Sequence, residues 1–382
     1  MIEIRTGHAL DLLREMPAGS VQCCLTSPPY WGLRDYGDPG KEWPEVTFSP
    51  MPGLPSMTVP ASCEPLGLES DPWAYVGHIV ALFREVRRVL RDDGVLFLNL
   101  GDSYAGSYGN QGRKEGRGSQ RPVNGPMLQR FHAEQETHAL DCDMDEDCTR
   151  GTIGRTQYPQ KQTGTGAIPK GSGLKPKDLV GIPWRAAFAL QADGWYLRSD
   201  VIWAKPNPMP ESVTDRPTKA HEYVFLLTKS ARYFWDLEAV REPVKATSGV
   251  INGAPTLGAH RLIEGASRTE RREYGRICGA NARTVWTIPT QPYPGAHFAV
   301  WPPELAARCI KAGSRKGDTV LDPFGGSGTT GLVAREHGRS AILLEQSSTY
   351  ADLARRRLGQ PPEDLDAAQA AVRALPLFRG GT

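Results

Sequence analysis

Thr319-Val320-Leu321-Asp322-Pro323-Phe324-Gly325-Gly326-Ser327-Gly328-Thr329-Thr330-Gly331 sets the architecture of this 382-residue chain. A short apolar run enters a glycine-rich turn, and Leu332-Val333-Ala334-Arg335 continue from it as a helix. Glycines permit positive φ and close approach of backbone to a ligand, and a helix start offers free N–H groups. Gly326, Gly328 and Gly331 spell G-x-G-x-x-G, with Glu345 nineteen residues beyond Gly326. The next apolar run, Ala341 to Leu344, ends at Glu345, whose carboxylate can accept two ribose hydroxyls. No Gly-Lys-Ser/Thr follows the turn, which excludes a P-loop. About fifty residues remain after it, too few for the second half of a dinucleotide-binding domain. The rest of the sheet must come from earlier in the chain, and a nucleoside-type cofactor fits better than a dinucleotide.

Far upstream, the apolar run Val21-Gln22-Cys23-Cys24-Leu25 reads as a buried strand and runs into Thr26-Ser27-Pro28-Pro29-Tyr30. Neither proline can donate to a ladder and both have fixed φ, so regular structure stops at a stiff corner. Nearby carbonyls stay free to accept hydrogen bonds, Ser27 adds a side-chain acceptor, and Tyr30 adds a flat face. Together they suit a planar ring bearing an exocyclic amino group.

Between these motifs the pattern alternates strand and helix. Ile2 to Arg5 reads as a strand, Ala9 to Glu15 as a helix, and Trp73 to Leu90 as an amphipathic helix with Val76, Ile79, Val80, Phe83, Val86 and Leu90 on one face. Arg91-Asp92-Asp93-Gly94 is expected to stop that helix before the strand Val95 to Leu100. Asp178 to Ala192 reads as a helix, and Trp195 to Trp203 with Glu222 to Leu227 as a pair of strands at the sheet edge. Glu304 to Ala312 and Tyr350 to Leu358 read as helices. A proline-rich connector runs to about Asp71 with no element assigned. Alternation of this kind predicts an α/β domain, a mostly parallel sheet with helices on both faces.

The predicted organisation is 1–103, 178–235 and 292–358 as parts of one α/β domain, 104–177 as a flexible insertion poor in apolar residues, 236–291 as a polar, arginine-rich region with little periodicity, and 359–382 as a tail. Net charge is +2, so nucleic-acid contact must depend on local patches rather than on a global field. Seven scattered cysteines suggest a reduced, cytoplasmic protein without a disulfide framework. Cys23 and Cys24 read as core residues. No apolar run reaches membrane-spanning length, and Met1-Ile2-Glu3-Ile4-Arg5 is not expected to act as a signal peptide. Cys142 and Cys148, with His132 and His138 nearby, lack the usual zinc spacing, so no metal is assigned.

The two motifs resemble those of the DNA amino-methyltransferases, which methylate an exocyclic base nitrogen with S-adenosylmethionine. Having Ser27-Pro28-Pro29-Tyr30 first and Asp322-Pro323-Phe324-Gly325-Gly326-Ser327-Gly328 last resembles the circularly permuted β group, and Ser-Pro-Pro-Tyr resembles its cytosine-N4 branch. The resemblance implies a Rossmann-like methyltransferase sheet with one antiparallel strand near its edge. It implies catalysis at Ser27, Pro28, Pro29 and Tyr30. Ser27 Oγ and the Pro28 carbonyl would hold the amino group, and Tyr30 would stack on a base flipped from the duplex. Trp31 either supports that stacking or packs; both stand open. Asp322, Phe324, Gly326, Gly328 and Thr329 would shape the cofactor turn, Glu345 would hold the ribose, and Phe298 and Pro302 would touch the methionine moiety. Where the family carries Gly-Asp-Ala-Leu near the adenine, this chain has Gly7-His8-Ala9-Leu10, and His8 is expected as an exposed loop residue, with contact to the adenine as the alternative.

After Trp203 comes Ala204-Lys205-Pro206-Asn207-Pro208, similar to the family's DNA-facing loop, so Lys205 and Asn207 are candidate contacts to the flipped nucleotide or phosphate. A solvated loop is the alternative. The resemblance implies catalysis from 1–103 and 178–235, cofactor binding from 292–358 and target recognition by 236–291, whose arginines suit phosphate and guanine contacts. The implied partner is double-stranded DNA, with a second copy of the chain and a cognate restriction endonuclease as candidate protein partners. Rival readings are the same scaffold acting on adenine N6, a non-catalytic DNA-binding protein, and, more distantly, a nicotinamide oxidoreductase.

Overall fold

A computed structural model of the chain describes residues 1–33, 40–106, 173–242, 279–291 and 301–361. Ten strands are present among them: β1 (Ile2–Thr6), β2 (Val21–Thr26), β3 (Val46–Phe48), β4 (Met57–Val59), β5 (Leu90–Leu100), β6 (Tyr196–Ala204), β7 (His221–Thr228), β8 (Val285–Thr287), β9 (Thr319–Asp322) and β10 (Ser340–Glu345). The helices are α1 (Ala9–Glu15), α2 (Pro72–Val89), α3 (Ile182–Ala192), α4 (Pro303–Gly313), α5 (Thr329–Glu336) and α6 (Ser348–Arg357).

Eight strands form one sheet in the order β1-β10-β9-β2-β5-β7-β6-β8. Every neighbouring pair is parallel except those involving β7, which runs against both β5 and β6. This is the expected mostly parallel, Rossmann-like sheet with one antiparallel strand. Both faces are covered. Leu10 and Leu13 of α1, Ile79 and Phe83 of α2, and Ala186 and Leu190 of α3 share one core with Leu96 and Leu98. Leu305 and Ile310 of α4 and Val333 of α5 share the other with Cys23, Leu25, Val95 and Phe97. Because side chains alternate along a strand, β5 is buried continuously from Val95 to Leu100. Both Cys23 and Cys24 are fully buried, and burial pushes their thiols well above the ordinary range.

Helix α2 starts where expected. Asp71 accepts from the Trp73 N–H at 2.8 Å, and Pro72 occupies the first turn, where its missing donor costs nothing. Its end differs from expectation. Leu90 already pairs with Val21, and the next pairing is Cys23 with Val95, so Arg91-Asp92-Asp93-Gly94 is a bulge inside β5 rather than a stop before it. Helix α3 begins at Ile182, four residues later than predicted, behind Gly181 at φ 76°. The connector carries the antiparallel β3–β4 hairpin, whose Phe48 and Val59 pack on Gly77 of α2. Three-residue strands are too short to show periodicity, so they escape sequence reading. The pair β6–β7 is not at the sheet edge either, because β8 adds outside β6.

The ends of the long insertion meet. Tyr104 bridges Leu179, and the Ala105 N–H donates to the Asp178 carbonyl at 2.8 Å. The basic stretch at 113–121, Cys142, Cys148, most of the arginines of 236–291 and the tail from 362 lie outside the described residues.

Candidate active site

The two sequence motifs leave the sheet side by side. Strands β2 and β9 are parallel neighbours, with Cys23 beside Val320 and Cys24 beside Leu321, so the proline corner and the glycine turn emerge at the same edge. They are also joined directly: Thr26 Oγ1 donates to Asp322 Oδ1 at 2.8 Å, in the interior. Open parallel sheets bind ligands at the carboxyl ends of their strands, which is where both segments lie.

At the corner, Ser27 Oγ donates to the Tyr30 hydroxyl oxygen at 3.2 Å and lies 3.4 Å from Asn99 Oδ1. The Tyr30 hydroxyl has two acceptors in reach, Asn99 Oδ1 at 2.7 Å and Glu222 Oε2 at 2.8 Å. Asn99 is 2 % exposed, and its Nδ2 donates to the Tyr223 carbonyl at 3.0 Å, which turns its oxygen towards Tyr30 and Ser27. Lys205 Nζ pairs with Glu222 Oε1 and sits 4.2 Å over the Trp203 ring. Of the two proline carbonyls, that of Pro29 accepts from the Tyr75 hydroxyl at 2.9 Å, and that of Pro28 has no hydrogen-bond donor among the described residues. The Tyr30 ring rests on Gly101: a Cβ there would stand 2.5 Å from Tyr30 Cε2.

Trp31 does not join this surface. It is 4 % exposed, packs in the core and donates its indole N–H to the Glu69 carbonyl at 2.9 Å. Packing, not DNA contact, is its place, because the chain turns inward after Tyr30 to meet the loop before α2. Lys205 is half-buried in the Tyr30 cluster rather than extended towards a phosphate. Exposed Asn207 is tied to the β8 side, exchanging two hydrogen bonds with Thr290. His8 is a further correction. It is 6 % exposed, lies edge-on to Trp43 with centroids 4.9 Å apart, and burial lowers its pKa.

At the glycine turn, Asp322 is the organising group. Besides Thr26, it accepts from Thr330 Oγ1 at 2.6 Å and from the Phe324 N–H at 3.1 Å. Burial nevertheless raises its pKa to about 7, with those hydrogen bonds opposing the shift. Gly326 and Gly328 have φ of 49° and 77°, a conformation that disfavours a side chain. Glu345 closes the turn, its carboxylate accepting from the Gly326 N–H at 2.7 Å and the Ser347 N–H at 2.9 Å. It stays partly exposed at the end of β10. Phe324 is half-buried in the turn, and Pro302 is buried immediately before α4. The Thr329 hydroxyl is engaged within the fold, accepting from Arg357 at 2.7 Å. Phe298 lies outside the described residues. A glycine cradle, a half-exposed ring and a strand-end carboxylate fit a nucleoside bearing a short amino-acid arm.

Sequence inspection misses three residues here: Asn99, Glu222 and Asp102. Period-two alternation carries the signal for the first two. Val95-Phe97-Asn99 and Glu222-Val224-Leu226 continue the alternations whose apolar members share one core, so both polar groups fall on the Ser27 side. Buried Asp102 accepts from the N–H groups of Ser103, Gly181 and Ile182, each at 3.0 Å, and so ties the end of β5 to the start of α3. Among the described residues no cluster of His, Cys, Asp or Glu could hold a metal ion.

Residues 21–356 match the DNA methylase family that comprises N6 and N4 enzymes. The Type II methyltransferase M.Cfr9I of Citrobacter freundii is 40 % identical over 352 residues, covering 92 % of this chain and 86 % of that protein. M.SmaI of Serratia marcescens is 38 % identical over 356 residues, covering 93 % and 90 %. Among solved structures, the cytosine-N4-specific PvuII DNA methyltransferase superposes with a TM-score of 0.52 at 16 % identity, covering 97 % of this chain and 91 % of that one, a likeness of fold.

Proposed function

The chain belongs to the DNA methylase family, and we propose that it methylates the N4 amino group of cytosine at a specific site in double-stranded DNA, as a member of the permuted β group. S-adenosylmethionine is its cofactor and supplies, when bound, an electrophilic methyl group on a sulfonium. The observation that carries the proposal is the Thr26–Asp322 bond, which holds the base-side corner against the cofactor-side turn.

Each residue then has a task. Glu345 holds the ribose, while Asp322, Phe324, Gly326 and Gly328 shape the turn around the methionine arm. Cytosine N4 is a weak nucleophile because its lone pair is delocalised into the ring. Ser27 Oγ and the Pro28 carbonyl accept from its N–H groups and draw the nitrogen towards tetrahedral geometry. No cysteine nucleophile is needed, and the buried thiols of Cys23 and Cys24 have no part in the reaction. A base in a duplex cannot reach this corner, so it must be extruded, and the Tyr30 ring replaces its lost stacking. Positioning of this kind supplies a large share of the rate.

The serine at the first position of the proline motif supports cytosine over adenine. The Type II relatives support a cognate restriction endonuclease as partner. Expressing the full chain in cells lacking DNA methylation, then digesting the DNA and analysing nucleosides by mass spectrometry, should yield N4-methylcytosine. N6-methyladenine as the only product overturns the base assignment, and no methylated product overturns the activity.

A further inference from the structure

We propose that Glu222 is a positioning residue for methyl transfer, which locks Tyr30 in its base-receiving orientation before DNA arrives; the proposal rests on the base-pocket reading of Tyr30 above. Tyr30 lies in a loop after two prolines and outside any strand ladder, so neighbouring backbone does not fix its ring. Two things do. Gly101 forms a floor too close for any side chain, and the hydroxyl is gripped from the far end by Asn99 and Glu222.

The topology explains why a carboxylate is available there. Strand β7 is the sheet's single antiparallel member, so its beginning, not its end, lies at the ligand edge. Glu222 stands opposite Trp203 near the finish of β6, and Lys205 follows two residues later. The lysine is therefore delivered to the same spot as counter-ion, on the same sheet face as Ser27 and Asn99. With side-chain exposures of 17 % and 16 %, the Lys205–Glu222 pair is largely shielded from water. A shielded carboxylate accepting from a phenol is a strong, directional bond, which suits a side chain that must hold its angle. The pair does not touch the reacting atoms and acts through the Tyr30 hydroxyl.

The test uses the full-length enzyme and a synthetic duplex containing its recognition site, once that site is found by sequencing methylated DNA. Single-turnover methylation, S-adenosylmethionine affinity and the fluorescence of 2-aminopurine at the target position are measured for Glu222→Ala, Tyr30→Phe, the double variant and Glu222→Gln. Both single variants should lose about 10- to 100-fold in rate, the cost of misplacing a positioned group. Cofactor affinity should stay within about twofold, and the double variant should be no slower than the worse single one. Glu222→Gln, which can still accept from the hydroxyl, should recover much of the rate, and 2-aminopurine should brighten less with Glu222→Ala. Should Glu222→Ala not fold, Tyr30→Phe, which leaves the ion pair intact, carries the test. A wild-type rate for Tyr30→Phe, losses that multiply in the double variant, or cofactor binding lost along with rate would each overturn the proposal. The base identity is read separately from the product nucleoside, so an adenine product corrects the base assignment without touching this comparison.

Discussion

Thr26 and Asp322, 296 residues apart in sequence, share a buried 2.8 Å hydrogen bond between the ends of two adjacent parallel strands. Asp322 also holds the Thr330 hydroxyl in the helix that follows the glycine turn. One carboxyl group thus references the proline corner, the glycine turn and helix α5 to each other. Small errors in its position would reach both halves of the site.

The protonation of Asp322 should be visible in stability. Its folded-state pKa is raised from 3.8 to about 7 by burial. The folded state then binds more protons than the unfolded state between those values, so stability falls as pH rises from about 4 to about 7. Asp322→Asn should remove that contribution, giving a melting temperature that changes less across this window than the wild type's. Parallel melting curves against pH for the two proteins check it, and identical slopes would refute the assignment.

Tyr30→Ala should bind S-adenosylmethionine with near wild-type affinity and lose most methyl transfer, because the base pocket proposed above takes its stacking face from this ring. Calorimetric titration of the cofactor and a tritium-transfer assay separate the two effects. Undiminished turnover would take Tyr30 out of the base pocket.

Gly328→Ala should destabilise the fold by about 1–2 kcal/mol and weaken cofactor binding, since Ala at positive φ is strained. At φ 77°, an added Cβ would also meet Ala354 Cβ at 3.0 Å. Denaturant unfolding and cofactor titration measure the two losses. The same substitution at Gly19, positive in φ with open space around it, should affect stability alone.

Trp31→Phe should cost stability without a change in DNA affinity. It leaves the buried Glu69 carbonyl without its indole donor, a loss of about 1–3 kcal/mol. Urea unfolding and electrophoretic binding assays on cognate duplex distinguish this from a DNA-contacting tryptophan, whose removal would weaken binding and spare the fold.

Much of this was legible in the residues themselves. The apolar runs at 21–25, 95–100 and 341–344 are strands covered on both faces, and both motifs end strands, as their patterns led one to expect; that the two strands are neighbours is a fact of topology. Other features were hidden because their causes are tertiary. His8 sits beside a histidine-bearing helix, and its burial comes from Trp43, which also stacks on His78 at 4.5 Å. Nothing local announces that partner. Trp31 and Asn207 belong to types that both pack and bind, and only their partners, the Glu69 carbonyl and Thr290, distinguish the roles. Glu222 looked like an ordinary strand residue until the direction of β7 placed it at the ligand edge.

The bridge between Tyr104 and Leu179 has a practical corollary for protein engineering. Where two chain ends already run side by side, the entropy of closing a loop between them changes only slowly with its length. A short linker joining Gly106 to Gly173 should therefore preserve the sheet while shortening the polypeptide by about one sixth. The same junction, opening beside the end of β5, is a natural graft point for a foreign module.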